Sequence, residues 1–317
     1  MQRPRRIRLA LILLASSCSY ADRLHFVIPA GPGGGLDGTA REIGRIFKTF
    51  GQYESISYEN MPGGGGGRAL SQYLGNHSRY QDAVLVNSTP LIVRSLQGLF
   101  PQSFRDLTPI VGLIADYGIF VVRADDPILT WSQLSATFKS RPSTVVVGGG
   151  SVRGSLDHIV LALALSSINV NPREVRYLPY DGGAKAILAL LSGEVRLLST
   201  GLGETMPFLD SGQVRALAVT AAERIETIAD VPTLQELGHD VVFANWRGIF
   251  AQPQLPTKRK TELIEQFHEL RQTNEWNAAL QKRGWTPLDL AGNAFANYLL
   301  EQEKLLRTTL SKLGFIN

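Results

Sequence analysis

One arrangement of residues recurs along this chain: a short apolar run, a glycine-rich stretch and a segment with helical periodicity. Its first copy occupies residues 24–50, where the apolar residues from Ile43 to Phe50 are spaced three or four positions apart. Such spacing places their side chains on one face of a helix. This copy predicts a strand, a glycine loop and a helix, with Asp37 as the residue that caps the helix N-terminus.

The same arrangement occurs twice more farther along the chain. In the second copy, a strand at residues 55–59 leads through five glycines at 63–67 into a helix from about Arg68. In the third, a strand at 144–147 leads through a glycine loop into a helix from about Ser155. The third helix is apolar on nearly every face, which indicates that it is buried.

The rest of the pattern completes an α/β fold. Strands that alternate with helices at this spacing are typical of a mostly parallel sheet flanked by helices. Further strands are predicted around residues 82–90, 118–127, 174–180, 194–200, 214–220 and 241–251, with a loop and helix at 181–193 and helices from Thr257 to the end.

The restart of the pattern predicts two lobes. The first would comprise residues 22–122 and 248–317, and the second residues 123–247. In an α/β protein of this kind, the loops at the carboxyl ends of the strands face a cleft, which is a common place for a ligand.

The first 21 residues are predicted to be a cleavable secretory signal rather than part of the fold. They combine a basic start, a short apolar run and small residues before Asp22. A lipoprotein anchored at Cys18, the only cysteine, is the alternative. Cleavage would remove four arginines and no acidic residue, which takes the formal charge from +4 to zero. The mature chain would therefore have no basic excess for nucleic acid and no disulfide.

A dinucleotide-binding enzyme is one alternative that the first glycine loop raises. The run from Gly33 to Gly38 satisfies G-x-G-x-x-G, and Glu59 ends the next strand 21 residues after Gly38. However, Pro29 and Pro32 lie where the tight turn of that motif is needed. A secreted protein would also not meet a cytoplasmic nicotinamide cofactor.

Other enzyme classes find little support in the motifs. The stretch around Ser151 lacks the final glycine of G-x-S-x-G. No H-E-x-x-H motif or Cys/His cluster suggests zinc. Asp157 and His158, in a first helical turn, are explained by charge compensation of the helix and by packing. We expect no enzymatic activity, no cofactor and no metal.

The glycine loops instead indicate an anion site. Backbone N–H groups in such loops can approach a ligand closely, and helix N-termini favour negative charge. Hydroxyl groups would add donors, and Asn245 with Arg247 could clamp a carboxylate, because arginine offers a bidentate fork. A structural ion pair or cap is an equally good interpretation of these two residues. The candidate hydroxyl donors are Ser88, Thr89, Ser151, Ser155 and Thr200.

The chain resembles the receptors of the tripartite tricarboxylate transporters, also called Bug receptors. The motifs that carry the resemblance span nearly the whole mature chain in order. They include VIPAGPGGGLDGTAR, YENMPGGGGG, GGGSVRGSLDHIVLAL, LPYDGGAKAILALLSGEV, ANWRGIFAQP and KRGWTPLDLAG. The first, third and fifth look most like the citrate-type branch.

The resemblance implies a type II periplasmic-binding-protein fold that closes on its ligand. It implies ligand loops at residues 33–37 and 149–155, and delivery to one large and one small integral membrane subunit. Leu36 and Arg153 depart from the family pattern, and Arg153 could add a positive group. With the donors above, the predicted ligand-binding set is Gly33, Gly34, Gly35, Asp37, Ser88, Thr89, Gly150, Ser151, Arg153, Gly154, Ser155, Asp157, Thr200, Asn245 and Arg247.

The sequence therefore predicts a monomeric periplasmic receptor for a small carboxylate. A tricarboxylate such as citrate, or a dicarboxylate, is the expected ligand. A sensor subunit that presents its ligand to a signalling partner is the alternative.

Overall fold

A sheet of ten strands runs through the protein, with helices packed on both of its faces. The computed structural model describes residues 23–316, so the predicted signal sequence and Cys18 lie outside the described residues. Within this part of the chain, no helix is both long enough and apolar enough to span a membrane.

Residues 23–316 form ten strands and eleven α-helices, which alternate along most of this part of the chain. The strands are β1 (Arg23–Ile28), β2 (Ser55–Asn60), β3 (Ala83–Ser88), β4 (Thr108–Arg123), β5 (Val146–Gly149), β6 (Arg176–Pro179), β7 (Leu197–Gly201), β8 (Val214–Val219), β9 (Ala244–Ala251) and β10 (Thr286–Ala291). The helices are α1 (Gly35–Thr49), α2 (Gly67–Gly75), α3 (His77–Tyr80), α4 (Pro90–Leu96), α5 (Trp131–Ser140), α6 (Leu156–Ser167), α7 (Gly183–Leu191), α8 (Leu202–Asp210), α9 (Thr257–Arg271), α10 (Asn274–Arg283) and α11 (Gly292–Lys312).

The sheet is mixed rather than mostly parallel as expected. Its order is β2-β1-β3-β9-β4-β7-β5-β6, and β8 and β10 also pair with β4. The pairs of β1 with β2 and β3, and of β5 with β6 and β7, are parallel. Every pair that involves β4 or β9 is antiparallel. These two strands run through the centre of the sheet against their neighbours, which the local pattern could not reveal.

The long strand β4 joins the two halves of the sheet. Up to Tyr117 it pairs with β9, and from Gly118 it pairs with β7, with β8 joining at Ile119. The predicted lobe boundaries at 122–123 and 247–248 stay a prediction.

Alternate residues of the strands face two layers of helices. On β1, Phe26 packs in a cluster with α1, and Val27 packs in a cluster with α2 and α4. On β4, Phe120 packs with α5 and α6, whereas Ile119 packs with α7 and α8. This alternation follows from the two-residue period of a strand. As a result, each half of the sheet that β4 joins is covered by helices on both faces.

The predicted role of Asp37 as the N-cap of α1 is wrong. Helix α1 begins at Gly35, and Gly34 is the cap. The Asp37 carboxylate turns back out of the helix, where it accepts hydrogen bonds from the Gly33 N–H and from Asn60 Nδ2, both at 2.9 Å. Arg41 pairs with it from the next turn at 2.9 Å. Asp37 therefore connects the glycine loop to β2 and stabilises the conformation of that loop.

The prediction of helices from Thr257 to the end is wrong at one place. Helix α10 ends at Arg283 and is capped by Gly284, whose φ of 60° suits glycine in a left-handed cap. The chain then forms β10, which pairs antiparallel with β4. The first half of β4 was also missed, although Ile110 to Ala115 form an apolar run.

Candidate ligand-binding site

Three glycine loops that lie far apart in the sequence meet at one cavity of about 410 Å³. They precede α1, α2 and α6, and they contribute Gly34, Gly64 and Gly150 to its wall. Gly182 and Gly183, which precede α7, complete the wall. A cavity of this size suits a small-molecule ligand.

The loops before α6 and α7 approach so closely that only glycine fits. A Cβ atom on Gly150 would lie 2.4 Å from the backbone nitrogen of Gly183. The Gly182 N–H donates to the Gly150 carbonyl at 3.0 Å, which ties the two loops together. Because the neighbouring atoms are backbone, a side chain at Gly150 would have to separate the loops.

Many residues of the predicted ligand-binding set lie together at this cavity. They come from the starts of α1 and α6, from the loops before these helices and from β3 and β9, which the fold brings to one place. Those that line it are Gly34, Gly35, Ser88, Gly150, Ser151, Ser155, Asp157, Asn245 and Arg247.

The other predicted residues do not line this cavity. Gly33 and Asp37 face a second cavity behind the first glycine loop. Thr89 and Thr200 are buried, and Gly154 donates its N–H to His158 Nδ1 at 3.0 Å. The residues outside the cavity lining are Gly33, Asp37, Thr89, Arg153, Gly154 and Thr200.

Arg153 points away from the cavity. Its guanidinium donates to the carbonyl oxygen of Tyr177 and lines a separate cavity with His158. Burial, with the nearby charge of Arg153, lowers the pKa of His158 to about 4. His158 is therefore neutral at pH 7, and its ring centroid lies 4.6 Å from that of Tyr177, with the two rings tilted by 33°. This geometry gives no support to Arg153 as a positive group for the ligand.

Several polar residues of the cavity were missed by the sequence analysis. They are Asn87, Tyr180, Asp181 and Glu204. The run DGGAK offered a signal for Asp181, since it is another glycine loop before a helix. Nothing local marked Glu204, whose position depends on how α8 follows β7.

Arg247 is held inside the protein rather than free to grip a ligand. Its guanidinium pairs with the Asp116 carboxylate, and the side chains are 3% and 0% exposed. Its Nη1 donates to the Gly35 carbonyl at 3.1 Å and to Thr39 Oγ1 at 2.9 Å. These contacts favour the structural interpretation of Arg247 over the clamp, because a buried Asp116 needs its partner.

Two carboxyl groups lie beside each other in the cavity wall. Asp157 is buried, and its N–H donates to Ser151 Oγ at 2.9 Å. Burial, with the nearby charge of Glu204, raises the pKa of Asp157 to about 8. Burial also raises the pKa of Glu204. Asp157 is therefore largely protonated at pH 7.

Metal binding has no evident place among residues 23–316. No group of three or more histidine, cysteine, aspartate or glutamate side chains in this range could hold a metal ion.

The α/β fold and the cavity together are those of a protein that binds a small solute. The chain belongs to the family of tripartite tricarboxylate transporter receptors, because the model of that family matches residues 52–314. It is a periplasmic solute-binding receptor of that family and not an enzyme.

Individual proteins and solved structures are similar to this chain. A UPF0065 protein from the tcbD-tcbE intergenic region of Pseudomonas sp. strain P51 is 30% identical over 238 residues, which cover 73% of this chain and 68% of that protein. MatC from Rhodopseudomonas palustris with bound malate has a TM-score of 0.79 at 23% identity, covering 91% of this chain and 99% of its own. An R. palustris protein with adipate has a TM-score of 0.80 at 23% identity, covering 92% and 97%.

Proposed function

We propose that this receptor captures a small carboxylate of the di- or tricarboxylate class in the cavity between its glycine loops. The observation that carries the proposal is the convergence of three sequence-distant loops on one cavity, each loop leading into a helix. Backbone N–H groups and helix N-termini at such a place favour an anion. The malate and adipate bound by the two R. palustris proteins make dicarboxylates the first candidates.

We further propose that binding closes the two predicted lobes on the ligand. The cavity takes its wall from Gly34 of the first predicted lobe and from Gly150 and Gly183 of the second. A ligand that contacts both sides would stabilise the closed arrangement by its differential affinity. After removal of residues 1–21, the closed monomer would present its ligand to the large and small membrane subunits of a transporter.

A thermal-unfolding screen tests the proposal. The protein without residues 1–21 would be heated with mono-, di- and tricarboxylates and with the corresponding amides. A ligand at a hundredfold excess over its dissociation constant adds about 2.7 kcal/mol to the free energy of unfolding. We expect carboxylates to raise the melting temperature and the uncharged amides to leave it unchanged.

Two glycine variants extend the test, one at the cavity wall and one as its matched control. Gly150→Ala should abolish the shift, because its Cβ would separate the loops of the cavity wall. Gly75→Ala should keep it, because a Cβ there meets nothing within 4 Å. No shift with any carboxylate, or equal shifts with the amides, would refute the proposal.

A further inference from the structure

One side of the cavity carries neutral polar side chains that do not belong to the glycine loops. Asn87 and Ser88 come from the end of β3 and Asn245 from the start of β9, and all three line the cavity. They are 5%, 2% and 7% exposed, so bulk water hardly reaches them. Buried polar groups in folded proteins nearly always have hydrogen-bond partners. The partners of these three side chains therefore indicate what the side chains are for.

The pairing of β3 with β9 brings Ser88 and Asn245 to the same face of the sheet. Ser88 lies opposite Arg247 in the antiparallel pair. Asn245 lies two positions from Arg247 along β9, and residues two apart on a strand share a face. Arg247 itself is engaged by Asp116 and by α1. Ser88 and Asn245 therefore remain beside it for a ligand.

The amide oxygen of Asn245 has no structural partner within residues 23–316. Its Oδ1 is buried and makes no hydrogen bond to this part of the chain. An unsatisfied buried amide costs free energy, which an apolar side chain of similar size would avoid. Because no hydrogen bond holds the oxygen, the amide can turn either its oxygen or its NH2 group toward the cavity. The unmet amide indicates that a polar group of the ligand lies against it.

Asn87 and Ser88 limit what that polar group can be. Asn87 Oδ1 accepts from the Ser88 N–H at 2.8 Å, which leaves the Asn87 NH2 group as the end that can donate to a ligand. The Ser88 hydroxyl and the Asn245 amide can each donate or accept. A carboxylate only accepts hydrogen bonds, whereas a hydroxyl group both donates and accepts. A ligand hydroxyl therefore matches all three side chains.

We propose that Asn245, together with Asn87 and Ser88, recognises a hydroxyl group on the bound carboxylate. This inference rests on the proposed function and narrows its ligand class to hydroxydicarboxylates and hydroxytricarboxylates. The carboxylates of the ligand lie at the glycine loops, and the hydroxyl between them exchanges hydrogen bonds with the Asn245 amide. A ligand with a methylene at this position leaves the amide unsatisfied and binds more weakly.

Calorimetric titration with ligands that differ by one hydroxyl tests this inference. Both enantiomers of malate would be compared with succinate, and citrate with propane-1,2,3-tricarboxylate. We expect citrate and the better malate enantiomer to bind at least about tenfold more tightly than their partners, since a missing ligand hydroxyl leaves a buried group unpaired. Both ratios should fall at least about fivefold in Asn245→Leu and about threefold in Ser88→Ala.

The stability of the ligand-free protein separates recognition from a structural role. Asn245→Leu should melt at the same temperature as the wild type or higher, because its amide oxygen loses no partner. Gln252→Met is the matched control. Gln252 is 1% exposed, lies outside the cavity lining and donates its Nε2 to the Tyr73 carbonyl. This variant should melt at a lower temperature and keep both affinity ratios.

Each outcome decides the inference. Equal affinities within each ligand pair for the wild type would overturn it, whether or not Asn245→Leu folds. It also fails if the ratios persist in Asn245→Leu and Ser88→Ala, if they fall equally in Gln252→Met, or if ligand-free Asn245→Leu is less stable than the wild type. In these cases, carboxylate binding by the wild type leaves the proposed function standing. If the folded wild-type protein binds none of these carboxylates, the proposed function fails together with the inference.

Discussion

The roles of single residues at the cavity depend on partners that are distant in sequence. Arg247 was singled out because of its place in ANWRG at a strand crossing, but its partner Asp116 is 131 positions away. The sequence therefore left a clamp and a structural pair as equal alternatives. For the same reason, nothing in the sequence identified Glu204, whose close approach to Gly183 forms only in the folded chain.

At the residue scale, Asp157 should make the stability of the receptor depend on pH. Its pKa in the folded protein is about 8, whereas an aspartate in an unfolded chain titrates near 3.9. The folded state therefore binds the proton more tightly, and stability is lost as pH rises between these values. Between the two values the loss reaches about 1.4 kcal/mol per pH unit, and it falls to about half of that at pH 8, where half of the folded molecules have released the proton.

Urea unfolding at pH 7 and pH 8 measures this effect. His158 contributes little to the comparison, because it is neutral in the folded protein and a histidine in an unfolded chain, with a pKa near 6.5, is mostly neutral from pH 7 to pH 8. We expect the wild-type free energy of unfolding to fall over this interval and that of Asp157→Asn to fall less. The exposed Asp181→Asn variant should behave like the wild type. Equal slopes in the wild type and Asp157→Asn would contradict the assignment of a neutral Asp157.

At the scale of elements, the sequence predicted best those strands that have a strong local boundary. The strands β1, β2 and β5 each end in a glycine loop, and a periodic helix follows each loop. By contrast, β10 contains Pro287 and only short apolar stretches, and it forms by pairing with the distant strand β4. Helix α8 was not predicted, and it contains Pro207. Local patterns therefore found the loops, whereas pairing between distant strands decided the rest.

The contact between α11 and the central strands provides an element-scale prediction. Gly112 of β4 and Gly248 of β9 lie opposite each other, and the ring of Phe295 packs over them. A Cβ on Gly248 would lie 2.4 Å from that ring and 2.7 Å from the Val111 carbonyl oxygen. Gly248→Ala should therefore lower the free energy of unfolding by about 1–3 kcal/mol through overpacking.

Chemical denaturation of Gly248→Ala and Gly75→Ala checks this expectation. Gly75 lies at the end of α2 with open space around it, so its variant should be close to the wild type. An unchanged midpoint for Gly248→Ala would mean that α11 does not press on the sheet as described.

At the scale of the whole molecule, the order of elements was enough to predict the fold class. The restart of the strand–loop–helix pattern after residue 122 indicated two α/β units, and the glycine loops indicated where a ligand would bind. The direction of β4 and β9 was not predictable, because a strand carries no local signal of whether its neighbour is parallel. The distances between the glycine loops could not be predicted either, since they depend on how both halves of the sheet pack.

The central claim is that a small carboxylate binds where the three glycine loops meet. Hydrogen exchange measured by mass spectrometry, with and without the carboxylate that most raises the melting temperature, tests this most directly, because bound N–H groups exchange more slowly. We predict added protection concentrated in residues 31–38, 62–67 and 149–156, on both sides of the cleft. Protection confined to one loop or to the second cavity, or no change at saturating ligand, would contradict the account.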